Sequence, residues 1–140
     1  MSAVVQRFPY VVRDPSRGHA SLSPMLPLTL VGRQSVSVSA LVDSGAAVNV
    51  LPLSIGLQLG FDWAQENRSV QLSGNLALVE ARVIVLTAIV GRFAPVRLAF
   101  AWAYTDDVSV MLGQINFFLE FDVCLFRSQE AFEVRMGSKP

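Results

Sequence analysis

The chain has 140 residues, 52% hydrophobic and only 16% charged, and its 11 basic and 11 acidic side chains cancel. That length suits one domain with a core of its own, and a neutral chain without a basic run argues against nucleic acid or an anionic membrane surface as partner. The most apolar stretch, residues 81–103, is interrupted by Arg82, Arg92, Pro95 and Arg97, so no uninterrupted span of about 20 apolar residues exists to cross a membrane.

Residues 1–27 carry Pro9, Pro15, Pro24 and Pro27 and read as an extended N-terminal arm with one early strand at 3–7, ahead of a domain at 28–140. The first ten residues lack a basic start followed by an apolar run, so no secretory signal is read there. His19, the one histidine, lies among Ser16, Arg17, Gly18 and Ser21 and is expected in an exposed loop. Without a second histidine or a nearby cysteine it offers no metal ligand set.

From residue 28 the pattern becomes strand-like. Residues 28–31 read as a strand and 32–34 as a turn. Residues 35–42 alternate serine with apolar side chains at period two, which predicts a half-buried strand running straight into Asp43. A short strand at 48–51 precedes a short helix at 52–59, opened by Pro52, weakened by Gly56 and closed by Gly60. Residues 68–72 and 76–79 read as a hairpin around Ser73-Gly74-Asn75.

Strands follow at 80–90, 96–104 and 109–112, with Gly91-Arg92 and Asp106-Asp107 as punctuation. Residues 114–121 suit a short helix with Ile115, Phe118 and Leu119 on one face, and closing strands are expected at 123–126 and 131–134. The only cysteine, Cys124, excludes an intramolecular disulfide and fits a reducing, cytoplasmic setting. Its neighbours Val123, Leu125 and Phe126 predict a buried structural thiol. Many short strands with one or two short helices make an all-β chain closed into a small barrel.

The chemistry concentrates at Asp43-Ser44-Gly45-Ala46. An apolar strand delivers a carboxylate to a sharp turn, Ser44 is placed to brace the loop, and Gly45 allows close backbone approach. The same three residues also suit an Asx-type turn with no catalytic role. A second apolar strand ends in glycine at Met111-Leu112-Gly113. Asp106 and Asp107 read as an exposed turn or as a second acid pair, and Asp62 and Asp122 as loop or helix-end acids. Trp63 and Trp102 suit the core or the rim of a groove.

The ordered pair, Asp-Ser-Gly-Ala at the end of one apolar strand and Met-Leu-Gly at the end of another, resembles the retropepsin-like aspartic proteases over about residues 28–134. The resemblance implies a retropepsin-type barrel, with Ser73, Gly74 and Asn75 in a flap over the substrate. It further implies a homodimer in which two Asp43 carboxylates activate a water to hydrolyse a peptide bond, with no metal or organic cofactor. Ser44, Gly45 and Ala46 would support the active-site loop. The implied partners are a second copy and a peptide or protein substrate. Two positions depart from the family pattern: no acid follows Ala46, and Gln114 stands where retroviral members carry an arginine that ties the dimer. A non-catalytic binding or assembly module of the same fold is the alternative, and a small-molecule-binding barrel a third.

Overall fold

The protein, described over residues 4–140 by a computed structural model, opens with three short strands, β1 (Gln6–Pro9), β2 (Val11–Val12) and β3 (Leu22–Ser23). A 3₁₀ segment, Pro15–Ser21, joins β2 to β3; it is capped by Asp14, whose carboxylate accepts from the Ser16 N–H at 3.0 Å. Then come β4 (Met25–Val31), β5 (Ser35–Val42), β6 (Asn49–Leu51), helix α1 (Leu53–Gln58), β7 (Ala81–Val90), β8 (Val96–Ala103) and β9 (Met111–Leu112). Helix α2 (Phe117–Glu120), β10 (Phe121–Phe126) and β11 (Ala131–Met136) complete the order.

Six strands close into a barrel in the order β4-β5-β9-β6-β8-β7. The period-two pattern explains the wall. β5 alternates outward serines with inward Val36, Val38 and Ala40, and it pairs antiparallel with β4 from Val31↔Ser35 to Met25↔Leu41. Leu26, Leu30, Ala40, Leu86, Leu98 and Trp102 fill the interior at 0–1% exposure. Closure leaves no free edge in this wall.

A second, three-stranded sheet has the order β1-β11-β10. It pairs the early segment with the late one, Gln6↔Val134 through Pro9↔Ala131. Its inner face joins the barrel core through Phe132 and Phe121, which stack on Phe8 and Phe117 at centroid distances of 5.5 and 5.0 Å. The first 27 residues thus supply β1, β2, β3 and the first three residues of β4.

Several sequence expectations are corrected. The early strand starts at Gln6, not residue 3, and Ala3 lies outside the described residues. The hairpin at 68–79 does not form. Residues 68–70 bond instead to the start of β7 (Val70 N–H to Ala81 C=O, 3.1 Å; Val83 N–H to Arg68 C=O, 2.8 Å), which leaves Gly74–Leu76 as a 3₁₀ turn. The helix expected at 114–121 shortens to α2, because the Gln114 and Ile115 N–H groups go to the Ala46 and Ala47 carbonyls at 2.9 and 3.0 Å. Cys124 is exposed, since β10 lies at a sheet edge.

Gly56 stands inside α1 because Trp102 leaves no room for a side chain there. A Cβ there would sit 2.1 Å from Trp102 Nε1, and this indole N–H donates to the Leu53 carbonyl at 3.1 Å. Among the described residues no helix is long and apolar enough to cross a membrane.

Candidate active site

Asp43 is delivered by a parallel pairing. At its C-terminal end β5 runs alongside β9, with Leu41↔Met111 and Val42↔Leu112 in register. The Asp43 N–H then donates to the Leu112 carbonyl at 3.0 Å. One Asp43 carboxylate oxygen accepts the Gly45 N–H at 3.0 Å, and the Ala46 N–H closes the turn on the Asp43 carbonyl at 3.1 Å. This is the Asx turn that Asp-Ser-Gly favours. It fixes one carboxylate oxygen in the loop. Asp43 itself is half-buried at the floor of a cleft.

The close approach expected at Gly45 lies at Gly113. A Cβ on Gly45 would meet only the Asp43 carboxylate, at 3.3 Å. On Gly113 it would lie 2.5 Å from the Val48 carbonyl and 2.7 Å from the Ala46 carbonyl. Two backbones cross here with no room for a side chain. The Gly113 N–H donates to Asn49 Oδ1 at 2.8 Å.

Asn49 is the residue that sequence reasoning passed over. It is fully buried, and its Nδ2 donates to the Ala99 carbonyl at 2.9 Å and to Asn116 Oδ1 at 3.2 Å. Asn116 Oδ1 also accepts the Ala99 N–H at 3.0 Å, so two amides lock β6, β8 and the Gly113 turn together. The signal was a lone amide inside the apolar run Val48-Asn49-Val50-Leu51, where a buried polar side chain needs partners.

Above Asp43 lies a cleft of about 290 Å³. Asp43, Gly45 and Ala46 form its floor with Met111, and Ser73, Gly74 and Asn75 line it with Gln71, Leu72 and Leu76. All three sequence motifs therefore meet in one cavity, although Leu112 is in the core and Ser44 is exposed beside it. Gln114 Nε2 donates to the Ser44 carbonyl at 2.8 Å, tying the second motif to the first. Gln71 Nε2 holds the roof segment by donating to the Ala77 and Leu72 carbonyls at 2.6 and 3.1 Å.

Asp106, Asp62 and Asp122 have structural partners, and Asp107 is exposed in its turn. Asp106 accepts the Ser54 N–H at 2.8 Å at the start of α1, and Asp62 accepts the Ala64 N–H at 3.1 Å. Asp122 pairs with Arg135 at 3.3 Å. Trp102 is buried, and Trp63 packs on it edge-on at 5.0 Å. His19 is exposed and lies 3.4 Å from Glu130. Among the described residues no group of three or more His, Cys, Asp or Glu side chains converges as a metal site.

Solved structures share this fold. A retropepsin-like aspartic protease from Rickettsia conorii superposes with a TM-score of 0.61 and 16% identity, over 97% of this chain and 95% of that one. The EIAV protease, in complex with the inhibitor HBY-793, aligns with a TM-score of 0.50 and 18% identity, over 69% of this chain and 86% of its own. The retroviral protease-like domain of Ddi1 from Leishmania major gives 0.50 and 17%, over 71% and 80%. No protein-family model and no curated protein sequence matches the chain. The likeness establishes the fold: a retropepsin-like aspartic protease barrel.

Proposed function

We propose that the protein is an aspartic endopeptidase whose active site is completed by a second copy of the same chain. The observation that carries this reading is the position of Asp43. A single carboxylate, held by its own Asx turn, stands at the floor of a cleft roofed by residues 71–76, in a barrel shared with aspartic proteases.

One carboxylate cannot both take a proton from water and give one to the substrate carbonyl in the same step. A second Asp43 across a two-fold axis supplies the missing group. Two carboxyls that close share one proton, because both cannot ionise cheaply side by side. The ionised one removes a proton from water as the water attacks the peptide carbonyl. The protonated one donates to the carbonyl oxygen and the amine then leaves with a proton returned. Ser44 is exposed beside each acid, where its hydroxyl reaches across to the opposite loop.

The substrate is an extended peptide. Val48, Val50, Leu72, Leu76 and Met111 give the cleft apolar walls, and backbone groups at the roof suit a strand laid between roof and floor. Peptide hydrolysis by the wild type and its loss in Asp43→Asn, with unchanged circular dichroism, tests the assignment. Undiminished hydrolysis by Asp43→Ala would exclude it and leave the inert module of the same fold.

A further inference from the structure

The cleft over Asp43 does not end at its apolar walls. Asn75, Leu76 and Met111 also line a second chamber of about 360 Å³, which continues the cleft away from the acid. Leu76, Val108 and Met111 give this chamber apolar sides, and Asp106, Asp107 and Arg13 give it charge. Among the described residues Asp43 is the one charged side chain lining the first cavity. Further charge enters the groove at the chamber.

The segment that carries the two acids, residues 104–110 between β8 and β9, is pinned along its length. The Tyr104 N–H donates to the Glu80 carbonyl at 2.8 Å, and the Leu53 N–H to the Thr105 carbonyl at 3.1 Å. One Asp106 carboxylate oxygen accepts the Ser54 N–H at 2.8 Å, and the Asp107 N–H donates to Thr105 Oγ1 at 3.0 Å. The Val110 carbonyl accepts the Leu41 N–H at 2.9 Å, which ties the segment to the strand that delivers Asp43. The backbone under both carboxylates is therefore ordered before any ligand arrives, which lowers the entropy cost of binding.

Three charged groups face the chamber, and they are not equivalent. Arg13, between β2 and β3, donates from Nη2 to the Ser109 hydroxyl at 3.3 Å. Its charge also acts on Asp14, whose carboxyl it helps to hold below the usual range, so part of its field is answered elsewhere. Asp106 commits one oxygen to α1. Among the described residues no hydrogen bond or ion pair engages the Asp107 carboxylate. Two carboxylates against one partly answered guanidinium leave the chamber net negative. Apolar sides that end in carboxylates suit an apolar stem with a cationic head, which is lysine or arginine.

We propose that this chamber is a subsite for a basic side chain and that Asp107 sets the preference. The substrate is then an extended peptide with apolar residues at the bond that is cut and a lysine or arginine a few positions away. The proposal rests on the reading of Asp43 as half of a two-fold site, and it deepens that reading. Symmetry gives two chambers, one on each side of the scissile bond, so the best substrate carries a basic residue on both sides.

Asp106 caps α1 and is left unchanged in the test. Asp107 is exposed, so its variants keep the fold, as circular dichroism checks. A synthetic peptide library with a fixed apolar centre and randomised flanks is offered to the wild type, and mass spectrometry reads the cuts. Lysine or arginine at one position on each side is expected to raise kcat/KM about fivefold over leucine there, the size of a favourable exposed ion pair. The gains from the two sides multiply. Asp107→Asn is expected to lower the preference, Asp107→Lys to turn it toward glutamate, and Arg13→Ala to sharpen it. Cleavage without charge preference, a wild-type preference for glutamate, or a wild-type profile in Asp107→Lys overturns the subsite.

The two readings fail separately. Binding is measured in Asp43→Asn by fluorescence anisotropy, with a labelled apolar peptide carrying lysine, leucine or glutamate on both flanks. Tighter binding of the lysine peptide, abolished by adding Asp107→Lys, with no cleavage by the wild type, sinks the proteolytic assignment alone. Cleavage indifferent to flanking charge sinks the subsite alone. A protein that neither cuts nor binds any of these peptides sinks both.

Discussion

Floor and roof of the Asp43 cleft are built by opposite means. The floor is woven from β5, β9 and β6, with backbone bonds from Asp43 to Leu112, from Gln114 to Ala46 and from Ile115 to Ala47, and with the buried Asn49 beneath. The roof, residues 71–79, has no ladder of its own; bonds at residues 68–70 anchor its base, and the Gln71 amide ties its two sides. The difference is one of local stability. On the proposed reading Asp43 must be held in place while the roof opens to admit a peptide, and many bonds below with few above suit those two tasks.

That contrast can be broken from either side. Asp43→Asn should have the largest effect, lowering the turnover rate at least about 10²-fold, the lower end of what a positioned acid–base group contributes. Its melting temperature should stay near that of the wild type, as read by calorimetry. Gly113→Ala should come next, because its Cβ drives into the Val48 and Ala46 carbonyls. Such overpacking costs about 1–3 kcal/mol, and urea unfolding measures it. Asn49→Ala strips the Gly113 N–H of its acceptor inside the core. A buried group left without a partner costs about 1–3 kcal/mol, and here turnover falls along with stability.

The roof should answer differently. Gln71→Ala is expected to cost about 1 kcal/mol or less and to raise KM more than it lowers kcat. A variant of Gln71 that unfolds the floor would erase the distinction. The smallest effect is expected far from the cleft, at Asp14. Hydrogen bonds from the Ser16 hydroxyl and the Ser16 N–H, aided by Arg17 and Arg13, hold this carboxyl below the usual carboxylate range. A lowered acid stabilises the folded chain at neutral pH and loses that contribution as pH falls through its own titration. Asp14→Asn should therefore be slightly less stable near pH 7, with the two proteins converging in strong acid.

Much of the floor was legible in the sequence, and little of the roof. The strand at 35–42 was read to the residue because its serine–apolar alternation is period two with no competing pattern. Asp-Ser-Gly and Met-Leu-Gly stood out because an apolar run ending at a turn residue is a local signal. Their meeting was not local: the parallel pairing of β5 with β9 joins segments about 70 residues apart. The roof misled because Ser-Gly-Asn suits a hairpin turn and a 3₁₀ turn equally, and the choice was made by where residues 68–70 found partners. Cys124 misled because apolar neighbours report a strand but not whether that strand lies inside a sheet or at its edge.

Arg7 and Glu133, bonded across the outer sheet, lie 126 residues apart in the chain. A ribosome releases β11 only after every barrel strand has emerged, so β1 waits for its neighbour until the barrel is made. The sheet that carries β10 is in this way finished after the barrel. A nascent chain tethered before residue 131 can form its barrel but has nothing to lay beside β1, so the outer sheet closes on a barrel already made.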